Sequence, residues 1–151
     1  VRDGGAIPRQ FVDVIDIAPT LLEAAGARFD SQIDGVAQIP VAGRSFLRSV
    51  HDRTAPGRQT QYFELRGNRA VTDGRWRAVA MRDCSQTNHP DHWELYDLAS
   101  DFSESVDVAS RHPAALKRLT ALWKAEWDRF GDGSLAEPLS FICDRPGMFD
   151  R

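Results

Sequence analysis

Several groups of residues in this chain are of types that can do chemistry. His89-Pro90-Asp91-His92 offers two imidazoles and a carboxylate within four positions, donors that zinc and other transition metals accept. Cys84 and Cys143 are the only cysteines, and a thiolate can serve as nucleophile or metal ligand. Gly43-Arg44-Ser45 has the Gly-x-Ser opening of a nucleophile elbow. Asp97, Asp101 and Glu104 place three carboxylates close together, as a calcium loop does. Gly67-Asn68-Arg69 puts two hydrogen-bond donors beside a glycine, a combination suited to an anion. Trp93, Tyr96, Trp123 and Trp127 supply enough aromatic surface for a sugar platform.

Most of these groups read more simply as structure. A reactive cysteine needs an electropositive, organised site, and neither Cys84-Ser-Gln-Thr-Asn nor Cys143-Asp-Arg-Pro-Gly marks one, so both read as structural or incidental. Two thiols so far apart form no CxxC cluster, which leaves two reduced thiols or one long-range disulfide, the former preferred. The histidines of 89–92 fall in a polar connection with an intervening proline, where three ligands rarely converge on one ion, so a solvated loop is the better reading. His51 and His112 stand alone, and His112 precedes Pro113 at a helix boundary. Gly43-Arg44-Ser45 lacks the second glycine and the strand–helix context of an elbow. The acidic cluster has neither the glycine nor the bidentate Glu of an EF-hand loop, and suits turns and the cap of a short helix near 103–108. Trp123 and Trp127 lie four apart on one helical face, and Trp93 and Tyr96 on a short strand, which points to core packing. Gly67-Asn68-Arg69 likewise reads first as a tight turn, with a substrate rim formed by Asn68 and Arg69 as the alternative. No catalytic residue and no metal ligand is assigned.

The elements that would position these residues follow from periodicity. Val14, Ile17, Leu21 and Leu22 recur at helical spacing. Pro19 is best placed in a first turn, so the helix should run from about Ile17 to Ala25, with Asp16 or a near neighbour as its cap and Gly26 as its stop. Residues 27–59 hold Gly35, Pro40, Gly43, Pro56 and Gly57 with few periodic apolar runs, and read as a long connector. Strands are predicted over 61–65, 70–72, 76–81 and 93–98, with turns at Gly67-Asn68 and Asp73-Gly74, giving an antiparallel meander. From Pro113, the residues Leu116, Leu119, Leu122, Trp123, Trp127 and Phe130 mark one face of a long helix, and Lys117, Arg118, Lys124 and Asp128 occupy much of the other. The fold class is therefore α+β: a small antiparallel sheet packed by a long C-terminal helix and preceded by one further helix.

Composition bounds the function. The 151 residues are 42% hydrophobic and 27% charged with a net charge of −3, an ordinary globular balance. No basic stripe is present, which disfavours nucleic acid as a partner. No apolar run approaches the ~20 residues of a membrane span.

Several segments, in fixed order, carry a family resemblance. They are Val14-Ile15-Asp16-Ile17-Ala18-Pro19-Thr20 through Ala25-Gly26, then Gly35-Val36, Gly43 and Ser45, then Phe63-Glu64 and Gly67-Asn68-Arg69-Ala70. Gly74 with Trp76, Trp93 to Leu98, Asp101, Ser103-Glu104, Pro113, Leu122-Trp123 and Pro138-Leu139 complete the series. Together they resemble the C-terminal part of arylsulfatase-type enzymes of the alkaline-phosphatase-like superfamily. One departure is Asp13, where such sulfatases often carry His.

The resemblance implies that residues 1–59 are the tail of a truncated α/β sulfatase domain plus a connector, that 60–139 form a C-terminal sheet–helix subdomain, and that 140–151 are a tail. It implies a parent enzyme that hydrolyses sulfate esters with a formylglycine, made from the Cys of Cys-x-Pro/Ala-x-Arg, and with calcium. No such motif surrounds Cys84 or Cys143, so both groups would belong to an N-terminal sulfatase domain preceding Val1, which is the implied partner. The chain alone would then be inactive. A phosphonate or phosphate monoester hydrolase on the same scaffold, and a non-catalytic interaction module, are the other readings open to the sequence.

Overall fold

The computed structural model describes residues 10–65, 67–81 and 92–131, which fall into two units divided after Gln59. In the first unit, a 3-10 turn over Val14–Asp16 runs directly into helix α1, Ile17–Ala24. Asp13 supplies the side-chain cap of this start, while Asp16 stands at the N-cap position of α1 without a side-chain capping bond to that helix. The Asp13 carboxylate accepts from the Ile15 N–H while the Asp16 carboxylate accepts from the Asp13 N–H, a reciprocal capping box. Pro19 sits in the first turn of α1, where its missing N–H costs nothing. Gly26, at φ +69°, supplies the left-handed residue that ends the helix.

The connector has more structure than its composition suggests. Strands β1 (Gln32–Ile33) and β2 (Val36–Ala37) form a hairpin closed by Asp34 and Gly35, both at positive φ. A short helix, α2, spans Leu47–His51. Two-residue strands and a single helical turn leave no periodic signature, which is why residues 27–59 read as loop.

The second unit is a four-stranded antiparallel meander, β3 (Gln61–Leu65), β4 (Asn68–Thr72), β5 (Trp76–Ala80) and β6 (Trp93–Asp97), in sequential order. Gly67 and Gly74, at φ +86° and +92°, make the two tight turns. Asp73 itself pairs with Trp76, so the second turn is Gly74-Arg75 rather than Asp73-Gly74. The Asp73 carboxylate instead accepts from the Arg75 and Trp76 amides and closes the turn from the side.

Helix α3, Pro113–Phe130, packs on one face of this sheet. The register sets Val71, Ala78 and Leu95 in one row across β4, β5 and β6. These side chains are buried with Leu119 and Trp123 of α3 and with Val108. Gly131 stops the helix where its hydrogen lies against the Trp127 ring, and a Cβ there would collide with the indole. No helix among the described residues is long and apolar enough to cross a membrane.

Candidate functional site

Asn68 and Arg69 are neighbours on β4, so their side chains leave the sheet on opposite faces. The Asn68 side-chain amide donates to the Leu65 carbonyl at 3.2 Å and braces the β3–β4 turn. Arg69 points to the α3 side, where its guanidinium lies 5.2 Å from the centre of the Trp123 ring. The two donors predicted as a pair are therefore not brought together over one anion.

The remaining candidates can be placed in turn. Cys84, Cys143, His89 and Asp91 lie outside the described residues. His92 is exposed. The Gly43-Arg44-Ser45 segment is structural: the Arg44 N–H donates to Asp16 at 2.7 Å, and Ser45 Oγ accepts from the Leu47 N–H. Gly43 lies against the Ile15 carbonyl so closely that a Cβ would overlap it.

The acidic cluster is likewise occupied by protein donors. Asp97 takes both forks of Arg75, at 3.2 and 2.8 Å. Asp101 accepts from the Ser105 and Val106 amides and from the Ser103 and Ser105 hydroxyls, and the Val106 bond leads in holding its pKa below the ordinary aspartate value. Glu104 lies 3.3 Å from Arg77. Among the described residues no group of three His, Cys, Asp or Glu is disposed to hold a metal ion. The short helix expected near 103–108 is instead a 3-10 turn at Ala109–Arg111, because Asp101 ties the preceding residues into a loop.

The aromatic residues divide between the faces. Trp123 is buried, stacked on Trp127 at 5.6 Å and met edge-on by Trp93 and Tyr62. Tyr96 is not part of this core. It lies on the opposite face, where its hydroxyl donates to Glu94 at 2.6 Å. That bond, with burial and the Glu94 charge, pushes the hydroxyl up to about 12. Arg77, on the same face, lies 5.6 Å over the Phe63 ring. The polar groups of this face are engaged with other side chains: Tyr96 with Glu94, and Arg77 with Glu104.

The most organised polar cluster in the first unit involves Asp16 and was not visible as such in the sequence. Asp16 receives the Arg58 guanidinium as a buried ion pair, together with the Arg44 and Asp13 amides. Thr20 donates to the Asp16 carbonyl at 2.6 Å and accepts from the Phe46 amide at 3.0 Å. Burial alone would raise the Asp16 carboxyl, but Arg58 and the two amides hold it below the ordinary aspartate value. The Asp13-x-x-Asp16 spacing could have suggested the capping box. Nothing marked Arg58, 42 positions away, as its partner.

Comparison with known proteins places this architecture. No protein-family model matches the chain. An uncharacterized sulfatase of Schizosaccharomyces pombe is 29% identical over 150 residues, 95% of this chain and 26% of that protein. Arylsulfatase K of Xenopus laevis is 26% identical over 114 residues, 72% of this chain and 20% of that protein. The solved structure of BT4656 in complex with its substrate D-glucosamine-2-N,6-O-disulfate is 20% identical, with a TM-score of 0.57 over 82% of this chain and 25% of that one. The chain thus spans 26% and 20% of the length of these two curated relatives. It is similar to sulfatases in sequence, and its sheet and long helix have the fold of their C-terminal regions.

Proposed function

We propose that this chain is the C-terminal part of a sulfuric-ester hydrolase acting on sulfate esters, and that it contributes substrate rim and scaffold rather than the reacting groups. The observation that carries this reading is the combination of sulfatase similarity along 95% of the chain with coverage of only 26% of the relative. The formylglycine and calcium of such an enzyme belong, on this reading, to an N-terminal sulfatase domain outside the sequence described, which is the chain's partner. No step of the reaction is assigned to residues of this chain.

The rim is assigned to the β3–β4 turn with Asn68, and Arg69 holds that turn by resting on Trp123. Its contribution would be to orient the part of the substrate that does not react, through hydrogen bonds made equally in ground and transition states. Such contacts act mainly on KM.

A chimera tests the proposal. The matching C-terminal region of an active sulfatase is replaced by this chain, and hydrolysis of a chromogenic aryl sulfate is compared with that of the same enzyme lacking the region. Restored turnover, with KM raised by Asn68→Ala and kcat held, is the expected result. A folded chimera that cleaves phosphonate or phosphate monoesters but no sulfate ester would overturn it.

A further inference from the structure

The β3–β4 turn is braced from both faces of the sheet. On the α3 side the Glu64 carboxylate accepts from the Gly67 N–H at 2.7 Å. On the other side the Asn68 side-chain amide donates to the Leu65 carbonyl. Two hydrogen bonds across one bend fix the direction of the side chains it carries. Leu65 and Asn68 are register partners and leave the sheet together on the face away from α3, where Leu65 is 68% exposed. Met81, 66% exposed, follows Ala80, the register partner of Arg69, so a second apolar side chain stands at the same end of the sheet. The next row on that face is Phe63, Ala70 and Val79. Arg77 lies over the Phe63 ring from the row beyond, which leaves the open apolar surface at the turn. Among Leu65, Asn68, Met81 and that next row, only the Asn68 side chain is polar and none is charged.

We propose that Leu65 and Met81 make the rim specific for sulfate esters of apolar alcohols, aryl esters being the fitting class, and that Glu64 is the positioning residue that aims the turn. The proposal rests on the sulfatase reading for the ester, and on the turn alone for the kind of alcohol. A sugar carries hydroxyls around its whole ring, and a site for it matches them with several donors and acceptors, each costly to leave unpaired. The open end of this face offers one amide. A flat apolar ring instead covers Leu65 and Met81 and removes their exposed surface from water, while Asn68 faces a single polar substituent. Glu64 touches no substrate in this scheme, because its side chain lies on the opposite face, and it acts only through the Gly67 N–H.

The test titrates the isotope-labelled full chain with naphthyl sulfate, and separately with glucose 6-sulfate, while side-chain NMR signals are followed. Saturable shifts of the Leu65 and Met81 methyls with naphthyl sulfate are expected, at an affinity at least about tenfold above that for the sugar sulfate. Leu65→Ser and Met81→Ser should each lower the naphthyl affinity by about threefold or more. Phe102→Ser, at an exposed apolar position elsewhere, should leave it unchanged. Glu64→Ala should weaken binding, and Glu64→Gln, which keeps the accepting oxygen, should restore it. In the chimera described above, Glu64→Ala should raise KM for the aryl ester with kcat held, whereas a purely structural role would reduce the folded enzyme without moving KM. Equal affinity for the two sulfates, or binding indifferent to both Leu65→Ser and Met81→Ser, overturns the apolar rim. Binding unaltered by Glu64→Ala removes Glu64 as its positioning residue. Naphthyl binding at Leu65 in a chain whose chimera hydrolyses no sulfate ester keeps the apolar rim and removes the sulfatase reading. Hydrolysis of glucose 6-sulfate in preference to the aryl ester does the reverse.

Discussion

The indole N–H of Trp123, on α3, donates to the main-chain carbonyl of Phe63, on β3, at 3.0 Å across 60 positions of sequence. One side chain thus fills the core between helix and sheet and satisfies a strand-edge acceptor. Tyr62, Trp93, Trp127 and the Arg69 guanidinium all pack around the same ring. Trp123→Ala should therefore cost about 3–5 kcal/mol, a large share of the stability of a unit this size. Trp123→Phe keeps most of the packing and loses the hydrogen bond to a half-buried carbonyl, for about 1–2 kcal/mol more than packing alone. Denaturant titration of both variants checks the order. Equal stability of Trp123→Ala and the unaltered chain would remove this residue from the core.

The Asp16–Arg58 pair gives the first unit an acid-sensitive term. Arg58 and the two amides depress the folded-state pKa of Asp16, so the stabilisation is complete above the unfolded value of about 3.9 and is lost as pH falls through the lower folded value. Asp16→Asn should flatten this acid limb, as seen by hydrogen exchange of α1 amides between neutral and acidic pH. Arg58→Ala should be the harsher change, by about 3 kcal/mol, because it leaves a carboxylate buried without its cation.

Gly43→Ala should destabilise the first unit alone. The added methyl would occupy the space of the Ile15 carbonyl, so α1 and the connector must separate. Exchange should accelerate in residues 14–24 and stay unchanged in β4, β5 and α3. A neutral effect would mean that the connector can shift without loosening the Asp16–Arg58 pair.

Hydrogen exchange on the unaltered chain should already separate the two units. The apolar face of α1 is exposed, and a helix of eight residues is marginal alone. Amides of Ile17 to Ala24 should exchange before those of Leu119 to Trp127, which sit over the buried row of Val71, Ala78 and Leu95. Equal protection in a monomer would make the chain a self-contained domain.

The chain alone should not hydrolyse sulfate esters, since no Cys-x-Pro/Ala-x-Arg order occurs in it. A chromogenic aryl sulfate with added calcium is the assay. Turnover that disappears on changing Cys84 or Cys143 to Ser would place a nucleophile in this chain.

The second unit was nearly legible in the sequence because its contacts are local in kind. Short turns with Gly67 and Gly74 dictate adjacent antiparallel strands, and the spacing of Leu119, Trp123 and Trp127 dictates which side of α3 is buried. In the first unit α1 was legible from its period and from Gly26, but the contact that holds it, Asp16 with Arg58, follows from no period or spacing. For the candidate rim, residue types suggested Asn68 and Arg69 together, whereas strand alternation sends adjacent side chains to opposite faces. Alternation could have been applied to β4 beforehand, had the strand been started at Asn68 instead of Ala70.

Beyond β6, the Asp107 carboxylate accepts from the Leu95 N–H and the Val108 N–H donates to the Leu95 carbonyl. Both main-chain groups of Leu95 on its outer side are thus taken by the chain's own next segment. A stray strand arriving there finds no template, so runaway sheet extension is blocked midway along β6. Asp107→Ala would free one of those groups and open a way in for aggregation while leaving the meander itself intact.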